Sequence, residues 1–211
     1  MHFLIARRIL SVLAACGILG QYYFALERGL GQGKTGLEVT GNFFSYFTIL
    51  TNLLVVACPR FRSPGTHAAL GVYIAVVGVV YHLLLSAQYH LEGWEWVADR
   101  ILHYVVPPGY LLCWALFAPK EKLPFTIAAR WLLFPGLYFA YSLMRGALVG
   151  WYPYSFANVN RLGFGPAVQN GLGVLIFFLV LSLIVIGLSR LLHHRQAGRL
   201  ELGNLAYRRQ V

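Results

Sequence analysis

Acidic residues are scarce in this chain, and so is charge of either sign. Of 211 residues, 7 are Asp or Glu, and charged residues make up 11%, far below the ~25% of an ordinary soluble domain. That shortage excludes a soluble globular enzyme. Cysteine is also sparse. Cys16, Cys58 and Cys113 all lie in or at the ends of apolar segments, with no C-x-x-C among them, which argues against a disulfide framework or a zinc site and leaves them as small packing residues. A phosphate-binding loop is missing too. Gly33-Lys34-Thr35 has Arg28 where that motif requires its first glycine, and no strand precedes it. His82 and His103 have no third ligand at recognisable spacing, so neither a metal nor a cofactor is expected.

Long apolar runs are what the chain has instead. It is 58% hydrophobic, with a mean hydropathy of +0.63. The reading is an all-α polytopic membrane protein with six transmembrane helices in one domain over 1–192, followed by a basic cytoplasmic tail over 193–211. The spans fall at about 1–26, 42–57, 67–88, 98–117, 125–148 and 167–191, each near the ~20 residues that cross a bilayer. The first span reads as uncleaved, because its apolar run continues unbroken past Cys16. Pro107-Pro108 and Pro135-Gly136 mark kinks in the fourth and fifth. A polar, Gly-rich loop is expected over 27–41. Trp94, Trp96, Trp151, Tyr152 and Tyr154 read as an interfacial aromatic belt.

Charge distribution sets the orientation. With the N-terminus inside, most of the 17 Lys and Arg fall in the inner segments, whereas Glu27, Glu38, Glu92, Glu95 and Asp99 fall outside. Both termini are then cytoplasmic, in a multi-pass protein of the inner (plasma) membrane. The net charge of +10 is explained by a tail lying against anionic lipid. No nucleic-acid partner is needed, and composition says nothing about oligomeric state.

The second span carries a polar stripe. At ~100° per residue Ser45, Thr48 and Asn52 share a helical face within roughly 60°. Measured from the outer helix ends at ~1.5 Å per residue, Thr48, His82, His103, Arg145 and Asn170 all lie roughly 6–9 Å deep. Intramembrane polar chemistry is thus concentrated toward the outer leaflet, and such groups are functional candidates. Asp99 and His103 are spaced i, i+4, so that the carboxylate can orient the imidazole. His82 and Ser86 have the same spacing, the minimum for a hydroxyl activated by a histidine. The structural alternatives are that Thr48 bonds back to its own helix, that His82 joins two helices, that Asp99–His103 is an interfacial ion pair, that Arg145 snorkels to the surface, and that His193 and His194 are solvated.

The segments N-F-F-S-Y-F-T-I-L-T-N-L-L (42–54), L-H-Y-V-V-P (102–107) and R-G-A-L-V-G-W-Y-P-Y-S-F (145–156) resemble the prokaryotic six-helix membrane proteins. More distantly they are similar to the eukaryotic androgen-induced family of membrane hydrolases. In that family a Y-x-T segment, a histidine shortly before a proline and a G-W-x-Y-P-like loop occur in this order. The resemblance implies hydrolysis of fatty acid esters of hydroxy fatty acids, with Thr48 as nucleophile and His103 as base. The chain departs from the pattern in having Ala98-Asp99-Arg100 where an Asn-His pair precedes the family's histidine. Thr51 is a rival to Thr48.

Two functions follow. In one, a membrane lipid ester enters from the outer leaflet, Thr48 attacks, His103 accepts the proton, Asp99 orients His103, and Arg145, Asn52, His82 or Asn170 holds the substrate or its oxyanion. In the other, the protein is a small transporter, sensor or assembly factor whose polar layer binds a ligand. An apolar cavity open sideways favours the enzyme, and a wet axial one favours transport.

Overall fold

The computed structural model describes residues 2–88 and 90–208, with side chains described as far as His194. Every regular element among the described residues is helical. The first helix, α1 (His2–Gly31), is followed by α2 (Gly36–Phe43) and α3 (Phe47–Ala57), and then by a 3₁₀ turn to Arg60. Next comes α4 (Pro64–Val80), which continues as a π-helical turn over Tyr81–Leu85. α5 (Gly93–Arg100) and α6 (Val106–Phe117) flank a second π-helical turn, Ile101–Val105. α7 (Ile127–Trp131), α8 (Leu133–Val149) and the short α9 (Val159–Leu162) lead to α10 (Phe164–Arg208). The expected basic tail begins within α10; its side chains from 195 onward, and residues 209–211, lie outside those described.

Among the described residues, four helices are long and apolar enough to cross a membrane: His2–Gly31, Pro64–Gln88, Ile127–Val149 and Phe164–His194. α2 and the segment Phe47–Arg60 make a fifth if counted as one span, bent by 73°. The run expected as the fourth span, about 98–117, is not among them; the helical stretch Gly93–Phe117 that contains it carries Glu95, Asp99, Arg100 and two prolines. α4 is the central helix, packed on α3, α6 and α10, while α1 packs along α3, α5 and α6.

The departures from expectation have local causes. The loop expected at 27–41 is mostly helix, because Thr35 caps α2 by accepting from the Glu38 amide at 3.2 Å, the first half of a capping box. The second span is not one helix. Ser45 donates to the Gly41 carbonyl at 2.6 Å, pairs with the Tyr141 hydroxyl at 2.8 Å, and receives the Tyr138 hydroxyl on its own carbonyl at 2.9 Å. These bonds fix the bend between α2 and α3, so Ser45 does not share a helical face with Thr48 and Asn52.

In the fourth expected span the irregularity precedes the prolines. Pro107 and Pro108 lack the amides that His103 and Tyr104 carbonyls would receive in an α-helix, and the ladder widens so that the Val106 amide reaches Ile101. In the fifth the break falls at Leu132, between α7 and α8. Pro135 leaves the Trp131 carbonyl without its helical donor, and the Tyr73 hydroxyl supplies one at 2.8 Å.

The end of the bundle that holds the start of α1 is tied by a buried cluster. Arg7 donates to the Cys58 and Phe61 carbonyls at 3.1 and 2.9 Å and to His67 Nε2 at 2.8 Å. Nε2 also lies 3.2 Å from the Phe61 carbonyl, and Nδ1 lies 3.0 Å from the Tyr110 hydroxyl. Lys120 closes α6 by donating to the Trp114, Ala115 and Ala118 carbonyls, a cationic cap where the helix dipole favours one. His193, expected to be solvated, is half-buried, with Nδ1 3.0 Å from the Lys120 carbonyl.

The segment after α8 is not a surface belt. Gly150 adopts φ 72° and ends the helix in the left-handed conformation, turning the chain inward so that Tyr152 and Tyr154 are buried. Gly146 makes room for this: a Cβ there would lie 2.0 Å from the Tyr152 ring. Gly146→Ala is therefore expected to cost about 1–3 kcal/mol by overpacking, read as a lower Tm in detergent. Gly136→Ala, whose Cβ meets nothing within 4 Å, is expected to leave Tm unchanged or raise it slightly.

Candidate functional site

The bend between α2 and α3 makes Thr48 the second residue of α3. At that position its amide has no helical acceptor, and it donates to the Tyr154 hydroxyl at 3.3 Å. The Thr48 side chain is buried and points to His103, with Oγ1 and Nε2 3.4 Å apart. His103 comes from the π-helical turn between α5 and α6. Its Nδ1 lies 3.1 Å from Asp99 Oδ1 and 3.0 Å from the Asp99 carbonyl. With two acceptors at Nδ1, the proton belongs there, and the Nε2 lone pair faces Thr48.

Tyr81, from the π-helical turn that ends α4, completes the arrangement. Its ring stacks on His103, with centroids 3.7 Å apart and planes at 17°. Its hydroxyl donates to Asp99 Oδ2 at 2.6 Å. Both carboxylate oxygens of a 5% exposed aspartate are thereby engaged. The sequence of contacts is hydroxyl, imidazole, carboxylate, phenol, from three separate helical segments.

Thr48 stands between two cavities. One, of about 160 Å³, is bounded by His103, Asp99 and Tyr46 and reaches Gln21, Arg28 and Glu95 at the ends of α1 and α5. Arg28 and Glu95 form an ion pair there, and Gln21 donates to the Glu95 carbonyl at 3.1 Å. The other, of about 60 Å³, is apolar, walled by Phe47, Val77, Phe139, Val174 and Phe178. Thr48, Tyr81, Leu85 and Tyr154 line both.

The other residues singled out in the sequence do not reach Thr48's cavities. Asn52 is buried but donates back to the Thr48 carbonyl at 2.9 Å. His82 is exposed, with Nδ1 3.1 Å from the Tyr104 hydroxyl; Ser86 donates to the His82 carbonyl and not to its ring. The π-helical turn brings Tyr81 to the interior and leaves His82 outside. Arg145 donates to Asn42 Oδ1 at 2.8 Å and lies over the Trp151 ring, bracing the bend from outside. Asn170 is exposed and donates to the Phe156 carbonyl at 2.9 Å. Thr51 is fully buried and lines neither cavity. Tyr81 and Tyr154 were missed in the sequence. The signal for Tyr154 was its place in the G-W-Y-P-Y-S-F stretch, and for Tyr81 its position beside His82 at the same depth.

Among the described residues no group of three or more His, Cys, Asp or Glu is placed to hold a metal ion. No protein-family model matches this chain, and no curated protein or solved structure shows significant similarity to it.

A hydroxyl 3.4 Å from an imidazole whose far nitrogen faces a carboxylate can be deprotonated as it attacks an electrophile; such contacts are commonly long before substrate binds. The Tyr81–Asp99 bond orients the carboxylate. Tyr81→Phe keeps the stacked ring and removes only the hydroxyl. Its expected cost is about 1.5–3 kcal/mol, the range for a hydrogen bond to a charged group, and less in an Asp99→Asn background. Thermal unfolding of the double-mutant cycle in detergent measures the coupling.

Proposed function

We propose that this protein is an integral membrane hydrolase of lipid esters with Thr48 as nucleophile, His103 as general base and Asp99 as its orienting group. The observation that carries the reading is the contact of Thr48 Oγ1 with His103 Nε2, backed by Asp99 on Nδ1, at the wall between a polar and an apolar cavity. The resemblance to the prokaryotic six-helix membrane proteins and, distantly, to the androgen-induced hydrolases belongs to the same proposal. So does a six-span topology with both termini cytoplasmic in the inner membrane, in which Gly93–Phe117 is the remaining span.

In the acylation step Thr48 Oγ attacks the ester carbonyl carbon while His103 Nε2 takes the hydroxyl proton. The negative charge that develops on the carbonyl oxygen lies at the start of α3, where the helix dipole is positive. The Tyr154 hydroxyl, on the Thr48 amide, is the polar side chain at hand for it. Collapse breaks the bond to the alcohol oxygen, which receives the proton from His103, and leaves an acyl-threonine. Water then gives a proton to His103 and attacks the acyl carbon; the acyl–Oγ bond breaks, Thr48 Oγ takes the proton back from His103, and the acid leaves. Asp99 holds the imidazole in one tautomer throughout and stabilises its protonated form.

A transport role would call for a wet passage along the bundle axis. The apolar walls beside Thr48 favour a site that accepts a lipid chain.

Labelling of the purified protein by a fluorophosphonate, which tags activated hydroxyls, tests the mechanism. Wild type and Thr51→Ala are expected to label. Thr48→Ala is expected not to, and His103→Ala to label slower by about 10²-fold or more, as for loss of a general base. Undiminished labelling of Thr48→Ala would falsify the assignment. Reporter fusions after Arg62 and Glu121 check the topology: both are expected on the cytoplasmic side, and a reporter at His90 on the opposite side.

A further inference from the structure

A third cavity lies on the outer wall of the bundle, between the end of α4 and the start of α10. This groove of about 420 Å³ is lined mainly by apolar side chains, among them Val79, Leu83, Leu84 and Phe177, with Asn170 at one edge. Leu83 is 70% exposed, so this wall faces the surroundings of the bundle, which for helices this apolar is hydrocarbon. The groove shares Val80, Phe156 and Val174 with the apolar cavity beside Thr48. The two are neighbours across those three side chains, and Thr48 is among the residues that line the inner one.

We infer that the groove between α4 and α10 is the entry and binding site for the acyl chain of the substrate, which threads past Val80 and Val174 into the apolar cavity and presents its carbonyl carbon to Thr48. The inference rests on the hydrolase reading and adds to it the direction in which the ester lies. The acyl chain occupies the apolar side. The alcohol leaves into the polar chamber, where His103 Nε2 is placed to return its proton. Chemistry and lining agree in the main: a chain without polar groups matches walls of Val, Leu and Phe, with Ser142 and Tyr138 in the inner cavity and Gln169 and Asn170 in the groove as the polar side chains other than those shared with the polar chamber, while the charged Arg28 and Glu95 line the polar chamber.

Two glycines of α10 shape the route. Gly171 lines the inner cavity and admits the Phe139 ring; a Cβ there would fall 2.0 Å from it. Gly173 lines the groove, and a Cβ there would meet nothing within 4 Å. A side chain at 173 can therefore fill the groove without disturbing the packing beneath. In the same way the present glycine keeps the groove open.

The test uses the full chain in detergent and two fluorophosphonates, one with an ethyl and one with a hexadecyl substituent. Gly173→Phe is expected to slow labelling by the long-chain probe at least about tenfold, since several methylenes lose their burial, and to leave labelling by the short one within about twofold. Ile176→Phe, at an exposed position on the same helix that lines neither cavity, is expected to change neither. Equal rates for wild type and Gly173→Phe with both probes, or an equal loss with both, overturn the inference. Absence of labelling in wild type sinks the hydrolase reading instead. A second measurement needs no turnover: a palmitoyl lipid carrying a diazirine near the chain end, in phosphatidylcholine vesicles, is expected to crosslink to Val174 or Phe177 in wild type and not in Gly173→Phe. Crosslinks confined to other helices overturn the inference as well.

Discussion

A backbone amide or carbonyl that loses its helical partner inside an apolar bundle has to find another within the protein, because hydrocarbon supplies none. Much of this structure follows from that constraint. Pro135 strands the Trp131 carbonyl, and Tyr73 takes it up. The bend between α2 and α3 strands the Ser45 carbonyl and the Thr48 amide, and Tyr138 and Tyr154 take those. Each repair is made by a tyrosine reaching across from another segment. The irregularities therefore bind the helices together more tightly than regular helices would.

The candidate site is assembled from those same irregularities. A straight second span would have buried Thr48 in mid-helix, with its amide spent on the preceding turn. The bend places it at a helix start, next to Tyr154. A regular α4 and a regular α5–α6 rod would carry Tyr81 and His103 at other rotations. The π-helical turns in both bring the phenol and the imidazole into a stack at 3.7 Å. Catalytic geometry on the proposed reading and backbone satisfaction are, at this place, one arrangement. The Arg28–Glu95 pair and Gln21 then bound the polar chamber on the side away from Arg7.

Much of this was legible in the sequence, and the limits have physical reasons. The helical class and the rough positions of the apolar runs followed from hydropathy. The Asp99–His103 pair followed from i, i+4 spacing, which survives the local widening because it spans a single turn. Pairing Thr48 with His103 rested on resemblance and on depth, and depth is insensitive to rotation. Rotation is what misdirected attention to His82, Arg145 and Asn170. A helical period cannot decide between Tyr81 and His82 when one extra residue enters the turn. Tyr154 was hidden by composition: an aromatic loop beside a membrane helix reads as an interfacial belt until Gly150 is seen to turn the chain inward. The N-cap at Thr35 was readable and was obscured by the glycines around it.

The two π-helical turns have a consequence for how this protein tolerates change. Each holds one residue more than the α-helical turn it replaces, as the i to i+5 bonds from Ser86 to Tyr81 and from Val106 to Ile101 record. Removing any one residue from 101–105 would let the ladder close into a regular helix. Everything on one side of it would swing by about 100° relative to the other. An exchange of Leu102 for another aliphatic residue alters only packing, whereas a single-codon deletion beside it re-registers α5 against α6. At these two short stretches a change of length costs the structure more than a change of side chain.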